Sequence, residues 1–160
     1  MGFDHNHSHR RDTPAASSPD NPDNKAIARR WFEVFNTGSY AIAEEIVAPA
    51  HIRHDPAFPE LDAGVDGVKS IVAASRANVP DLQFVIEDQI AEGDKVVTRW
   101  TARGSDIGTD PCGTVAAVMG VDIARIADGR IVETWADWNA LDLLHRHEHN
   151  VAPHLAGVPL

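Results

Sequence analysis

The chain has 160 residues, 43% of them hydrophobic and 24% charged, with a formal charge of −10. Those numbers fit one globular domain and exclude wholesale disorder, a coiled coil and a collagen-like repeat. The acidic balance with scattered basic residues argues against a nucleic-acid partner, no run approaches the roughly 18 apolar residues of a membrane span, and the single cysteine, Cys112, excludes internal disulfides and thiolate-rich zinc sites.

Residues 1–23 hold His5, His7 and His9, followed by a Pro/Ser/Ala/Asp run without hydrophobic periodicity. They read as a disordered His-rich tail that lacks the apolar segment of a secretion signal, so the expected compartment is the cytoplasm. The ordered domain is expected over residues 24–148. Asp23 or Asn24 can cap a first helix, in which Ile27, Trp31, Val34 and Phe35 recur at helical spacing until Thr37-Gly38 stops it. Ser39 can cap a second, short helix with Ile42, Ile46 and Val47 facing inward and Pro49 at its end. The segment from His51 to Pro56 reads as short and extended, since a proline biases the residue before it away from helix. A third helix is expected from Asp66 to about Asn78, on the stripe Val68, Ile71 and Val72.

The period then changes. Leu82, Phe84 and Ile86 alternate with polar residues, Glu92-Gly93-Asp94 makes a turn, and Val96 to Arg103 returns as a second strand. After a Gly-rich loop over 104–113, Val115 to Ile126 and Ile131 to Trp138 form another hairpin around Asp128-Gly129, a pair suited to a two-residue turn. Residues 141–149 can add a closing helix, and residues 149–160 read as a loose tail. Helices first and hairpins afterwards place the chain in the α+β class, with a curved antiparallel sheet packed by N-terminal helices.

If Ala127 pairs with Arg130 and the register runs on without interruption, Asp122 lies opposite Trp135 and Gly120 opposite Asp137. Gly120, Asp122 and Ala124 then share one face with Glu133, Trp135 and Asp137. Such an acidic face can be solvated. Walled in by Trp and aliphatic groups, its carboxylates would instead be raised in pKa by lost solvation, as general acid/base chemistry near neutral pH requires. Asp122 and Asp137 are therefore the candidate catalytic residues, in a pocket between the sheet and Trp31 and Phe35, with Trp135 as its floor. Arg99 could reach the pocket or neutralise one of the acids in a structural pair. His54 could reach the mouth as a hydrogen-bond donor. Adjacent residues on an extended segment point to opposite faces, so His54 and Asp55 do not form a dyad.

The His residues near both ends (His5, His7, His9, His145, His147, His149 and His154) lack an acidic or Cys ligand at fixed spacing, so no metal site is assigned. The chain has no Gly-x-Gly-x-x-Gly and no Walker lysine, so a nucleotide cofactor has no handle.

Six segments stand in an order that resembles the SnoaL-like polyketide cyclases and ester cyclases of the nuclear transport factor 2-like superfamily. They are Asn24 to Gly38, His54-Asp55-Pro56, Asp66-Gly67, Pro80-Asp81, Glu92-Gly93-Asp94 and Gly120 to Trp135. The resemblance, over about residues 24–148, implies a cone-shaped α+β fold, a deep pocket, no metal or organic cofactor, and a homodimer or larger assembly. It implies acid/base catalysis of an intramolecular aldol closure on a hydrophobic, carbonyl-rich small molecule. Asp137 matches the family's acid/base by its distance from the chain end, and Asp122 stands where the partner is commonly His. Epoxide hydrolysis, isomerisation, hydroxylation and plain ligand binding are carried out on the same scaffold and stay open.

Overall fold

The computed structural model describes residues 22–55, 58, 61–105 and 117–139. The first helix, α1 (Pro22–Thr37), buries Ala28, Trp31, Phe32, Val34 and Phe35, the stripe that its period dictates. Gly38 ends it at φ +70°, donating its N–H to the Val34 carbonyl at 2.8 Å. The second, α2 (Tyr40–Ile46), follows an extended Ser39 whose side chain makes no capping bond. The third, α3 (Gly64–Asn78), begins two residues before the expected Asp66 and buries Val68, Ile71 and Val72.

Five strands follow the order β1-β5-β4-β3-β2 in one curved, unclosed sheet. They are β1 (Val47–His54), β2 (Gln83–Glu92), β3 (Lys95–Arg103), β4 (Ala117–Ala127) and β5 (Arg130–Trp138). β2 to β5 pair as antiparallel neighbours, but β1 runs parallel to β5. The short extended segment of the sequence reading is thus a full edge strand, and the sheet is mixed instead of wholly antiparallel. The cause is topological: β1 meets β5 only through long-range pairing, which no local turn signals. The helices lie on one face, as the α+β assignment requires, in a nuclear transport factor 2-like arrangement. Among the described residues, no helix is long and apolar enough to cross a membrane.

The β4–β5 hairpin decides which side chains meet the helices. Asp128 and Gly129 both have positive φ, +51° and +73°, as a tight two-residue turn demands, and Ala127 pairs with Arg130. Beyond Ile126↔Ile131 the register slips, and Arg125 pairs with Glu133, leaving Val132 as a bulge. Every later pair is displaced by one residue: Asp122 faces Ala136, Val121 faces Asp137 and Gly120 faces Trp138. Because strand side chains alternate, this slip exchanges the faces of β5. Thr134, Ala136 and Trp138 point inward with Asp122, whereas Glu133, Trp135 and Asp137 lie on the outer face. The expected clustering of Asp122 with Trp135 and Asp137 is corrected by that one extra residue.

The terminal tails, the segment over 141–149, Cys112 and all seven of the His residues named at the chain ends lie outside the described residues.

Candidate functional site

Between the helices and the inner face of the sheet lies a cavity of about 830 Å³, its open mouth included. Trp31, Phe32 and Phe35 of α1, with Phe58, Phe84 and Trp100, make its wall largely aromatic. Such a lining with a few converging polar groups is the usual form of a small-molecule site. Ser75 and Asn78 of α3 add polar groups to the lining, and a second polar set converges around Asp122, Arg53, Asp55 and Trp138.

Asp122 is 4% exposed. Its Oδ1 accepts the indole N–H of Trp100 at 3.0 Å, and its Oδ2 accepts that of Trp31 at 3.2 Å. The Arg53 guanidinium, stacked 5.4 Å from the Trp31 ring centre, adds a third bond from Nη1 to Oδ2 at 3.3 Å. Arg53 also reaches Asp55, donating from Nε and Nη2 to its Oδ2 at 3.2 and 2.9 Å. The other oxygen of Asp55 accepts the Trp138 N–H at 3.2 Å. One guanidinium therefore bridges two buried carboxylates, and three indoles fix the carboxylate oxygens. Indole and guanidinium groups only donate, so Asp122 is surrounded by donors and not by a bare apolar wall.

Local sequence explains each placement. Alternation along β4 turns Asp122 inward together with Gly120. A Cβ on Gly120 would stand 2.4 Å from Cζ2 of Trp100 and 2.8 Å from Cβ of Trp138, so only glycine lets the two indoles close around the site. Trp138 faces inward because of the Val132 bulge. In the parallel β1–β5 ladder, Arg53 pairs with the inward Thr134 and His54 with the outward Trp135. His51, two residues before Arg53, is also inward: its Nε2 lies 3.0 Å from the Thr134 hydroxyl and its ring 5.6 Å from Trp31. Burial first, and the Arg53 charge second, push its pKa down to about 4, which keeps the imidazole neutral.

The family model of the SnoaL-like polyketide cyclases matches residues 25–146, from the first turn of α1 to beyond the end of β5. The chain belongs to this family. Solved structures agree with the SnoaL-like fold. A protein from Bacillus cereus proposed to be a polyketide cyclase is 25% identical, with 78% of this chain and 79% of that one covered and a TM-score of 0.68. TsrD from Streptomyces laurentii is similar at 23% identity, 81% and 97% coverage and a TM-score of 0.67. IdmH from Streptomyces antibioticus, also proposed to be a polyketide cyclase, is similar at 22% identity, 78% and 98% coverage and a TM-score of 0.66. Among proteins of curated function, none matches the chain.

Within this SnoaL-like scaffold, Asp122, Trp31 and Phe35 lie at the cavity as the sequence suggested, and Trp31 bonds Asp122 directly. The other four candidates do not. Asp137 is exposed on the outer face of β5. Trp135 is on that face too, stacked on His54 at 5.4 Å and 13°. His54 points away from the cavity because it directly follows the inward Arg53 on β1, and its Nε2 lies 2.9 Å from Glu133 Oε1. His54 and then Arg125 hold the Glu133 carboxyl below its ordinary pKa. Arg99, also outward, bonds Asp88 at 2.7 and 3.0 Å and neutralises neither site acid. Sequence reasoning missed Arg53, Asp55, Trp100 and Trp138. For the first two a signal existed, since Arg53-x-Asp55 on an extended segment puts both side chains on one face. Among the described residues, no group of three or more His, Cys, Asp or Glu is gathered closely enough to hold a metal ion.

Proposed function

We propose that this SnoaL-like chain is a cytoplasmic, cofactor-independent enzyme of secondary metabolism, which closes a ring in a hydrophobic, carbonyl-rich small molecule by acid/base catalysis. Asp122 takes the proton α to a carbonyl, and the resulting enolate attacks a second carbonyl of the same molecule. Trp31, Phe35 and the neighbouring rings fold the substrate so that its two reacting carbons meet, which can supply several kcal/mol. The observation that carries this reading is a buried carboxylate, oriented by two indole N–H groups, at the edge of an aromatic cavity. The test uses proton abstraction alone, followed as deuterium uptake at the α-carbon of 2-tetralone in deuterium oxide. Asp122→Asn should lower the protein-catalysed rate by about 100-fold or more, in the range of a lost general base. Equal rates in wild type and variant would remove the reading.

The bridged pair favours one other reaction, epoxide hydrolysis. Across Arg53, one carboxyl could protonate the epoxide oxygen while the other activates water. Turnover of indene oxide to its diol, without exchange into 2-tetralone, would select that chemistry.

The family resemblance also leads us to propose a homodimer, and the outer face of the sheet supports it. Of the five large apolar side chains exposed among the described residues, Ile52, Val85, Ile90 and Met119 lie there and only Tyr40 elsewhere. The row Ile90, Val97, Ile123 and Trp135 crosses four strands of that face.

A further inference from the structure

We infer that Arg53 is a second catalytic residue, one that follows the negative charge from Asp122 to the substrate oxygen during proton abstraction. The inference rests on the reading of Asp122 as the base. In that step the substrate C–H bond breaks and an O–H bond forms on Asp122. The C–H electron pair becomes the new C=C bond, and the carbonyl π pair moves to oxygen as an oxyanion. The charge of the site is unchanged, but it has moved, and an apolar cavity solvates it poorly.

Arg53 is the one cationic side chain lining the cavity among the described residues. Its attachments are unequal. Nε and Nη2 are anchored on Asp55 Oδ2 at 3.2 and 2.9 Å, and Asp55 is itself held by the Trp138 N–H. Nη1 makes a single, longer bond of 3.3 Å to Asp122. A guanidinium has five N–H groups, and these three bonds leave one on Nη1 and one on Nη2. The anchor therefore stays while Nη1 can exchange acceptors: it bonds Asp122 while that group is ionised, and the enolate oxygen once Asp122 holds the proton. The Arg53 side chain is 9% exposed, so it is largely shielded from the water that would otherwise weaken the bond to the oxyanion.

The test separates this role from that of Asp122. In Asp122→Asn the neutral amide oxygen holds Nη1 less strongly than the carboxylate does, so an incoming anion can take that donor. The probe is 4-nitrophenol above its own pKa, read by the absorbance of the bound phenolate. Asp122→Asn should bind it at least about tenfold more tightly than wild type, and Asp122→Asn with Arg53→Met should lose that gain. Arg53→Gln, which can still bond Asp55, replaces Arg53→Met if the latter fails to fold. The same affinity with and without Arg53, or no gain on Asp122→Asn, overturns the inference. With Asp122 intact, Arg53→Gln should lower kcat for 2-tetralone exchange by about 100-fold, as for loss of one oxyanion donor, with KM little changed. Full exchange by Arg53→Gln beside an inactive Asp122→Asn would refute the role of Arg53 and leave that of Asp122 standing. Exchange that survives Asp122→Asn would refute the base itself.

Discussion

Gly120 stands directly across from Trp138 in the β4–β5 ladder, and an added methyl group there would collide with the Trp138 Cβ and the Trp100 ring. Both indoles donate to site carboxylates, Trp100 to Asp122 and Trp138 to Asp55. The absence of a side chain at position 120 is therefore part of the site's construction.

Gly120→Ala should destabilise the fold by about 1–3 kcal/mol, as overpacking of a close-packed interior does. It should also lower 2-tetralone exchange, because Trp100 must swing away from Asp122 Oδ1. Urea denaturation and the exchange rate, measured on the same preparation, check the two effects. A stable variant with undiminished exchange would show that the indole contact is dispensable.

His51 predicts a pH dependence of stability. Its folded-state pKa of about 4 lies below the ordinary 6.5, because the buried ring resists charging beside Arg53. Above pH 6.5 both folded and unfolded chains hold it neutral. As pH falls from 6.5 toward about 4, the unfolded chain takes up a proton that the folded one refuses, so stability decreases. Two and a half pKa units correspond to about 3 kcal/mol at most. His51→Gln, which can still bond the Thr134 hydroxyl, should flatten this slope in urea midpoints taken across the same pH range. An unchanged slope would place the pH dependence elsewhere.

The outer face of the sheet predicts an assembly that charge should break. Ile90 and Met119, exposed by 68% and 65%, are the most open apolar groups on it. Sedimentation of the wild type should give a dimer, and Ile90→Lys with Met119→Lys should give a monomer that still folds and still exchanges 2-tetralone protons. Identical sedimentation of the two proteins would count against this face as the contact.

The parts of the structure readable from sequence are those encoded by local period and turn chemistry. The stripe of α1 announced Trp31 and Phe35, and Asp128-Gly129 announced the last hairpin, because helical spacing and positive φ leave marks in a single segment. The order of such segments carried the family resemblance that the comparisons support. The bulge at Val132 leaves no such mark: valine is an ordinary strand residue, and its exclusion from the ladder is settled by packing across the sheet. That single displacement moved Asp137 and Trp135 out of the site and Trp138 into it. The parallel seat of β1 beside β5 rests on long-range pairing that no local turn announces, so the Arg53-x-Asp55 spacing put two side chains on one face without saying which way that face turns.

The central claim is that Asp122, and not Asp137, moves the proton. Side-by-side rates of deuterium exchange into 2-tetralone by wild type, Asp122→Asn and Asp137→Asn test it most directly. Asp137 is exposed on the far side of the sheet, so its variant should match wild type within about twofold, as surface substitutions do, while Asp122→Asn falls by about two orders of magnitude. Activity lost with Asp137→Asn and kept with Asp122→Asn would contradict the account.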